Sequence, residues 1–312
     1  MPTPPRHARP GTMMLTRRCL ERRFFLRPHP LINQSFVYLV GVGEERYGLD
    51  FHSLSELTNH YHMLVTDPTG RRVSDFLQWF NSCMASVGNI LLGRRDHFWD
   101  NRKASIVWIP PLMEDLVEKA AYVVCNPVSS QLVREAKQWP GVVSRASDIG
   151  SGKVFKVKRP PIYFDPAAGW PEEVTFKLTP PPAVDANPEE MKLAIRQRCN
   201  EVEAEIQDRV ESTGGSFLGA KRALRVDPYD SPDTPDHWFG LSPHLACKNK
   251  QLRTKLLTML KEFRREYQEK RVAFCSGDRD VVFPPATLKM VNVYGCTCRP
   301  LAEIDLFDFS YG

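Results

Sequence analysis

The chain has no apolar run approaching the ~20 residues a membrane-spanning helix needs, so no such span is expected. Its first thirteen residues, MPTPPRHARPGTM, have no apolar h-region of the kind a secretory signal carries, and a disordered basic arm is expected there. No Walker phosphate loop occurs, which argues against chemistry driven by nucleotide hydrolysis. Cysteine is present but not arrayed: eight are scattered, Cys296 and Cys298 form the one close pair, and no second pair at zinc-site spacing accompanies them. Two cysteines two apart cannot complete a tetrahedral site, so a structural zinc protein is set aside and reduced thiols in a cytoplasmic protein are expected. The second half of the chain shows no internal repeat and no obvious catalytic cluster.

What is present is the composition of an ordinary globular protein, 42% hydrophobic and 25% charged, in 312 residues, room for one large domain or two ordinary ones. The net charge of +5 is modest, but the excess of basic residues sits in the first 150. There, arginine doublets recur at Arg17-Arg18, Arg22-Arg23, Arg71-Arg72 and Arg94-Arg95. Such doublets usually sit on solvated faces, yet paired guanidinium groups also suit phosphate backbones.

Hydrophobic spacing predicts a strand over 17–28, a helix over 30–48 stopped by a glycine, and strands over 49–57 and 60–67 joined by a tight turn at Thr58-Asn59. A second helix over 72–93, a short extended piece at 96–100 and a helix over 113–128 follow, the last forced to end near Asn126 by Pro127. This order indicates an α+β fold, helices packed on an antiparallel sheet, within 14–150 and closed by 139–148. Residues 151–188 are proline-rich and read as a stiff connector holding a strand or two. Residues 189–312 form a mixed α/β extension of unknown role, with helices over 188–212 and about 248–271 and one or two strands in 280–298.

The stretch TNHYHMLVTDPTG places His60 and His62 on one face of a strand and Tyr61 on the other. Two imidazoles about 7 Å apart at their Cα atoms can share a divalent ion; the alternative is a solvent-exposed pair on an edge strand. Tyr122 and Asn126, four apart on a helix, stack one turn apart. One offers a phenol nucleophile and the other a hard oxygen ligand; the alternatives are a core tyrosine and a helix-terminus residue before proline. His52 and Glu56, in the strand before the histidines, are expected to face solvent, with Glu56 joining a metal site as the other possibility.

These motifs, in this order, resemble the single-tyrosine HUH transposases, and more closely the REP-associated tyrosine transposases of bacteria. The resemblance spans about 14–148 and includes RRFFLRP, NHYH, DFLQWFNSCMASVGNILLG, FWD, YVVCNPV and WPG. It implies a ferredoxin/RRM-like nuclease domain in which His60, His62 and Asn126 bind Mg²⁺ or Mn²⁺. Tyr122 then attacks single-stranded or hairpin (palindromic-repeat) DNA to form a 5′-phosphotyrosine link, with a homodimer as a possible assembly. Arg17, Arg18, Arg22, Arg23, Arg71 and Arg72 are the candidate phosphate contacts. A catalytically inactive protein that only holds structured DNA is the rival expectation.

Overall fold

The structure, a computed structural model, describes residues 10–101, 104–234, 244–285 and 287–300. Four strands, β1 (Gly11–Arg18), β2 (Asp50–Glu56), β3 (His60–Asp67) and β4 (Ser105–Ile109), form one antiparallel sheet in the order β2-β3-β1-β4. With α1 (Pro30–Tyr47) between β1 and β2, and α2 (Val73–Leu91) between β3 and β4, this is the ferredoxin-like βαββαβ arrangement, an α+β fold. The turn at 57–59 allows β2 and β3 to pair directly, whereas each helix carries the chain across an intervening strand.

Local signals account for the helices. Pro30 opens α1, where its missing N–H costs nothing, and the His29 side chain accepts from the Leu31 amide at 3.2 Å. Gly48 closes it in the left-handed region at φ 57°. The entry to α2 is fixed by the buried carboxylate of Asp67, which accepts from the amides of Thr69, Gly70, Arg72 and Val73.

One face of the sheet lies under α1 and α2, where Tyr61 meets Phe36 and Phe80 edge-on. The other lies under α3 (Met113–Val124), and α5 (Pro188–Ser212) packs behind α3. Met191, Ile195, Cys199, Ile206 and Val210 form the buried stripe of α5, the spacing of an amphipathic helix. A hairpin of β5 (Val154–Lys158) and β6 (Glu173–Lys177) lies against α1. There Gly41 leaves room for Val174: a Cβ on Gly41 would stand 2.6 Å from its Cγ2. One hydrophobic core therefore runs from the sheet through β6 to α5 and on to Leu252 and Leu256 of α6 (Lys250–Cys275). A small second cluster, Tyr267, Val281, Phe283, Met290 and Cys296, lies at the far end of α6.

Several expectations need correcting. The first strand is Gly11–Arg18 rather than 17–28; beyond Cys19 the chain makes a short 3-10 turn and an irregular loop. Of the arm expected over 1–13, residues 1–9 lie outside the described residues, and Gly11–Met13 belong to β1, with Gly11 paired to Asp67. The strand β4 was not anticipated. His52 and Glu56 do not face solvent; each is 1% exposed. A sheet covered on both faces buries its polar residues along with its apolar ones. His52 Nε2 lies 2.8 Å from Thr66 Oγ1 and its Nδ1 2.9 Å from the Thr179 carbonyl. All eight cysteines are unpaired, and no described helix is long and apolar enough to cross a membrane.

Candidate functional site

His60 and His62 stand on an interior strand, not an edge, with β1 on one side and β2 on the other. Their rings meet edge-on, centroids 4.9 Å apart, on the face covered by α3. Register supplies their neighbours. Thr16 pairs with His62 from β1 and Ser55 from β2, while Arg18 pairs with His60. Thr16 Oγ1 lies 2.7 Å from His62 Nδ1, and Asn59 Oδ1 lies 2.6 Å from His60 Nδ1. Each imidazole is thus held through its Nδ1, which turns its Nε2 outward. His62 Nε2 is buried and has no hydrogen-bond partner.

Tyr122 stands over this pair, its ring 5.2 Å from that of His62. The helix carrying it does not run unbroken to 128. It stops at Val124, and a single turn, α4 (Asn126–Ser129), begins after Cys125. Pro127 is the cause, since its ring and missing N–H disturb the bonding of the preceding turn. The break leaves Asn126 one turn below Tyr122, close enough to both Tyr122 and His60 to shift their acidity. Its Oδ1 is buried and without a partner. Four residues from two distant stretches of the chain, His60, His62, Tyr122 and Asn126, therefore converge.

Burial, reinforced by the Arg18 charge, pulls the His60 pKa down to about 4. Burial, His60 and Lys119 hold His62 well below the usual imidazole range. Both rings are therefore neutral at pH 7, the state in which a histidine binds a metal. The Tyr122 hydroxyl is pushed above its ordinary value by desolvation, opposed by Asn126, so an unassisted phenol stays protonated. Lys119, one turn before Tyr122, holds its ammonium 5.6 Å from the tyrosine ring centroid. Arg18 is tied to Asp100 at 3.2 Å.

The other two polar candidates are elsewhere. Glu56 pairs with Tyr61, so it projects to the α1–α2 face, away from the histidines; burial raises its pKa well above the carboxylate range. His52 lies further along β2, bound to Thr66 and Thr179. No group of three His, Cys, Asp or Glu side chains suited to a metal occurs among the described residues. A divalent ion at the histidine pair would take Asn126 as its third protein ligand. The two unpartnered atoms, His62 Nε2 and Asn126 Oδ1, fit that role, and so small a donor set leaves coordination positions for water and a phosphate.

Of the six candidate arginines, four lie near this end of the sheet. Arg18 borders His60 directly. Arg17 pairs with Tyr61 on the opposite face and lies 6.0 Å from the Trp99 ring centroid. Arg22 and Arg23 belong to the loop after β1. Arg71 and Arg72 follow the far end of β3, about 23 Å from His60 at 3.3 Å per residue, with Arg72 on the Tyr47 carbonyl at 3.2 Å; the structure does not bring them to the site. Thr16, Asn59, Ser55 and Lys119 were missed. Asn59 and Lys119 could have been found, one beside the first histidine and the other at i−3 from the tyrosine. Thr16 and Ser55 become visible only with the strand register.

No family model matches the chain. No curated protein matches it either. Among solved structures, that of a REP-associated tyrosine transposase bound to a REP hairpin is similar over 47% of this chain and 84% of that one, at 16% identity and a TM-score of 0.37. A likeness of that degree identifies neither family nor activity, so the functional reading rests on the residues above.

Proposed function

We propose that the protein is a metal-dependent, single-tyrosine DNA strand transferase acting on single-stranded or hairpin DNA. The observation carrying this reading is the convergence of Tyr122 with His60, His62 and Asn126, two of whose ligand atoms are buried and unpartnered. His60, His62 and Asn126 would hold Mg²⁺ or Mn²⁺; a divalent ion there supplies Lewis-acid polarisation of a phosphate oxygen. Thr16 and Asn59 fix the two rings. Tyr122 Oη forms the new bond to phosphorus as the bond to the 3′-oxygen breaks. The phenol gives up its proton to solvent and the departing 3′-oxygen takes one up from solvent, so the released strand ends in a 3′-hydroxyl. The phosphotyrosine retains the ester's energy, so an incoming 3′-hydroxyl rejoins the strand by the reverse step. Lys119 adds positive charge where the anionic phosphate would lie.

Incubation of the wild type with a 5′-flanked hairpin oligonucleotide and Mg²⁺ should give an SDS-resistant adduct carrying the DNA downstream of the nick. Tyr122→Phe should bind the DNA and form none. An adduct from the phenylalanine variant would assign the nucleophile to another residue. DNA binding by the wild type with no cleavage in Mg²⁺ or Mn²⁺ would replace the proposal with the rival, a module that only holds structured DNA.

A further inference from the structure

The loop after β1, residues 20–27, carries Arg22, Arg23 and Arg27, and it borders the site. The Arg22 carbonyl accepts from Asn59 Nδ2 at 3.0 Å, and Asn59 in turn holds His60. These three guanidinium groups are only partly covered, the Arg23 side chain keeping 40% of its exposure. Residues 226–234, VDPYDSPDT, lie across them. Arg27 Nη1 donates to the Val226 carbonyl at 3.0 Å, Arg23 to the Tyr229 carbonyl, and Arg22 to the Thr234 carbonyl and to its Oγ1. The backbone joins in, as Phe24 N donates to the Asp230 carbonyl at 3.0 Å. Tyr229 anchors the crossing, its Oη donating to the Leu92 carbonyl at 3.0 Å and its ring meeting Phe25 edge-on at 6.0 Å.

The chemistry of this contact is lopsided. In these bonds the arginines donate to neutral oxygens, which do not themselves cancel the positive charge; Arg23 is paired besides with the Glu21 carboxylate at 3.1 Å. Negative charge comes with the segment nevertheless: Asp227, Asp230 and Asp233 recur every third residue, all exposed, with no basic residue between. An acidic chain laid along a row of arginines occupies the place that a phosphate chain would take. Its hold is shallow. Tyr229 is 46% exposed, and exposed polar contacts of this kind are individually weak and exchangeable.

We propose that residues 226–234 are an intramolecular occupant of a polyanion-binding surface formed by Arg22, Arg23 and Arg27, and that a nucleic-acid backbone displaces them to reach it. The identity of the polyanion rests on the reading of the site given above; the covered surface does not. Displacement would free the arginine loop that buttresses Asn59, so backbone binding and the placement of His60 are mechanically connected.

The test uses the full-length chain carrying Tyr122→Phe, so that binding is read without cleavage. Affinity for a 20-nucleotide single strand is measured by fluorescence anisotropy across a salt series. Tyr229→Ala removes the anchor without changing charge and should tighten binding several-fold. Replacing 226–234 by nine Gly and Ser residues should tighten it further, by about tenfold at low salt. In that background, Arg22→Gln, Arg23→Gln and Arg27→Gln together should abolish the gain and flatten the slope of log affinity against log salt by about 2, from three single-strand phosphate contacts at about 0.7 each. Unchanged or weaker binding by a folded Tyr229→Ala variant would overturn the proposal and make the segment a brace. If the nine-residue replacement fails to fold, Tyr229→Ala alone decides. Binding of DNA with no gain overturns the proposal alone; no binding by any variant overturns it together with the reading it rests on.

Discussion

Replacing Ile195 by alanine tests whether the candidate site and the second half of the chain share one core. Ile195 belongs to the buried stripe of α5 and is completely inaccessible. Its helix backs α3, and Cys125, at the break between Tyr122 and Asn126, reaches the Cys199 carbonyl at 3.5 Å. Truncation deletes three carbons, about 0.8 kcal/mol each in transfer free energy. The cavity left behind between two packed helices adds to this, giving a total of about 3–4 kcal/mol within the usual 2–5 for such changes. Against the 5–15 kcal/mol that stabilises a typical protein, that is a large fraction. Urea unfolding followed by far-ultraviolet circular dichroism should shift as one transition. Native-state hydrogen exchange should show β3 amides around His60 and His62 losing protection along with those of α5. Two separate transitions, with β3 protection unmoved, would refute the continuity of the core and show that 14–150 stands alone.

Thr16→Val keeps the shape of the side chain and removes the partner of His62 Nδ1; Mn²⁺ affinity measured by calorimetry should fall about 10- to 100-fold, and an unchanged affinity would remove Thr16 from the site. His52, buried and neutral, has its pKa lowered from 6.5 to about 4 by desolvation. Because the unfolded chain takes up that proton first, its contribution is fully present above pH 6.5 and is lost as the pH falls toward 4, about 3 kcal/mol in all. In EDTA, the stability of His52→Gln should therefore fall less steeply with acidification than that of the wild type, the remaining slope including His60; parallel curves would contradict this.

Helices were legible because their signals are local: apolar spacing, a proline or asparagine at the start, a glycine at the stop. The extent of α5, from Pro188 capped by Asn187 to Ser212, is one example. Strands were less so. The alternation of GTMMLTRR was passed over for the apolar RRFFLRP just after it, which owes its hydrophobic residues to packing in an irregular loop, Phe25 and Leu26 being buried. In β4, SIVWI, four successive residues are buried; with both faces covered, the period-2 pattern is lost. The same double cover made His52 and Glu56 look like surface residues. At the site, the histidines and tyrosine were found by residue type and spacing. Thr16 and Ser55 were not, since nothing in sequence links residues 46 and 7 positions from His62 until the pairing of three strands is known.

The break at Cys125 separates two mechanical regimes. The histidines belong to a strand clamped by hydrogen bonds on both sides, where displacement of either ring would require the sheet to shear. Tyr122 sits in the last turn of a helix that has already ended two residues later, and helix ends fray more readily than sheet interiors. A phenol mounted there is more readily displaced by loosening one turn than either ring on the strand, while α5 packs behind the rest of α3. If the proposed roles hold, stiffness lies with the two histidines and compliance with Tyr122, a division suited to a group that must approach one strand end, carry it, and then release it to another.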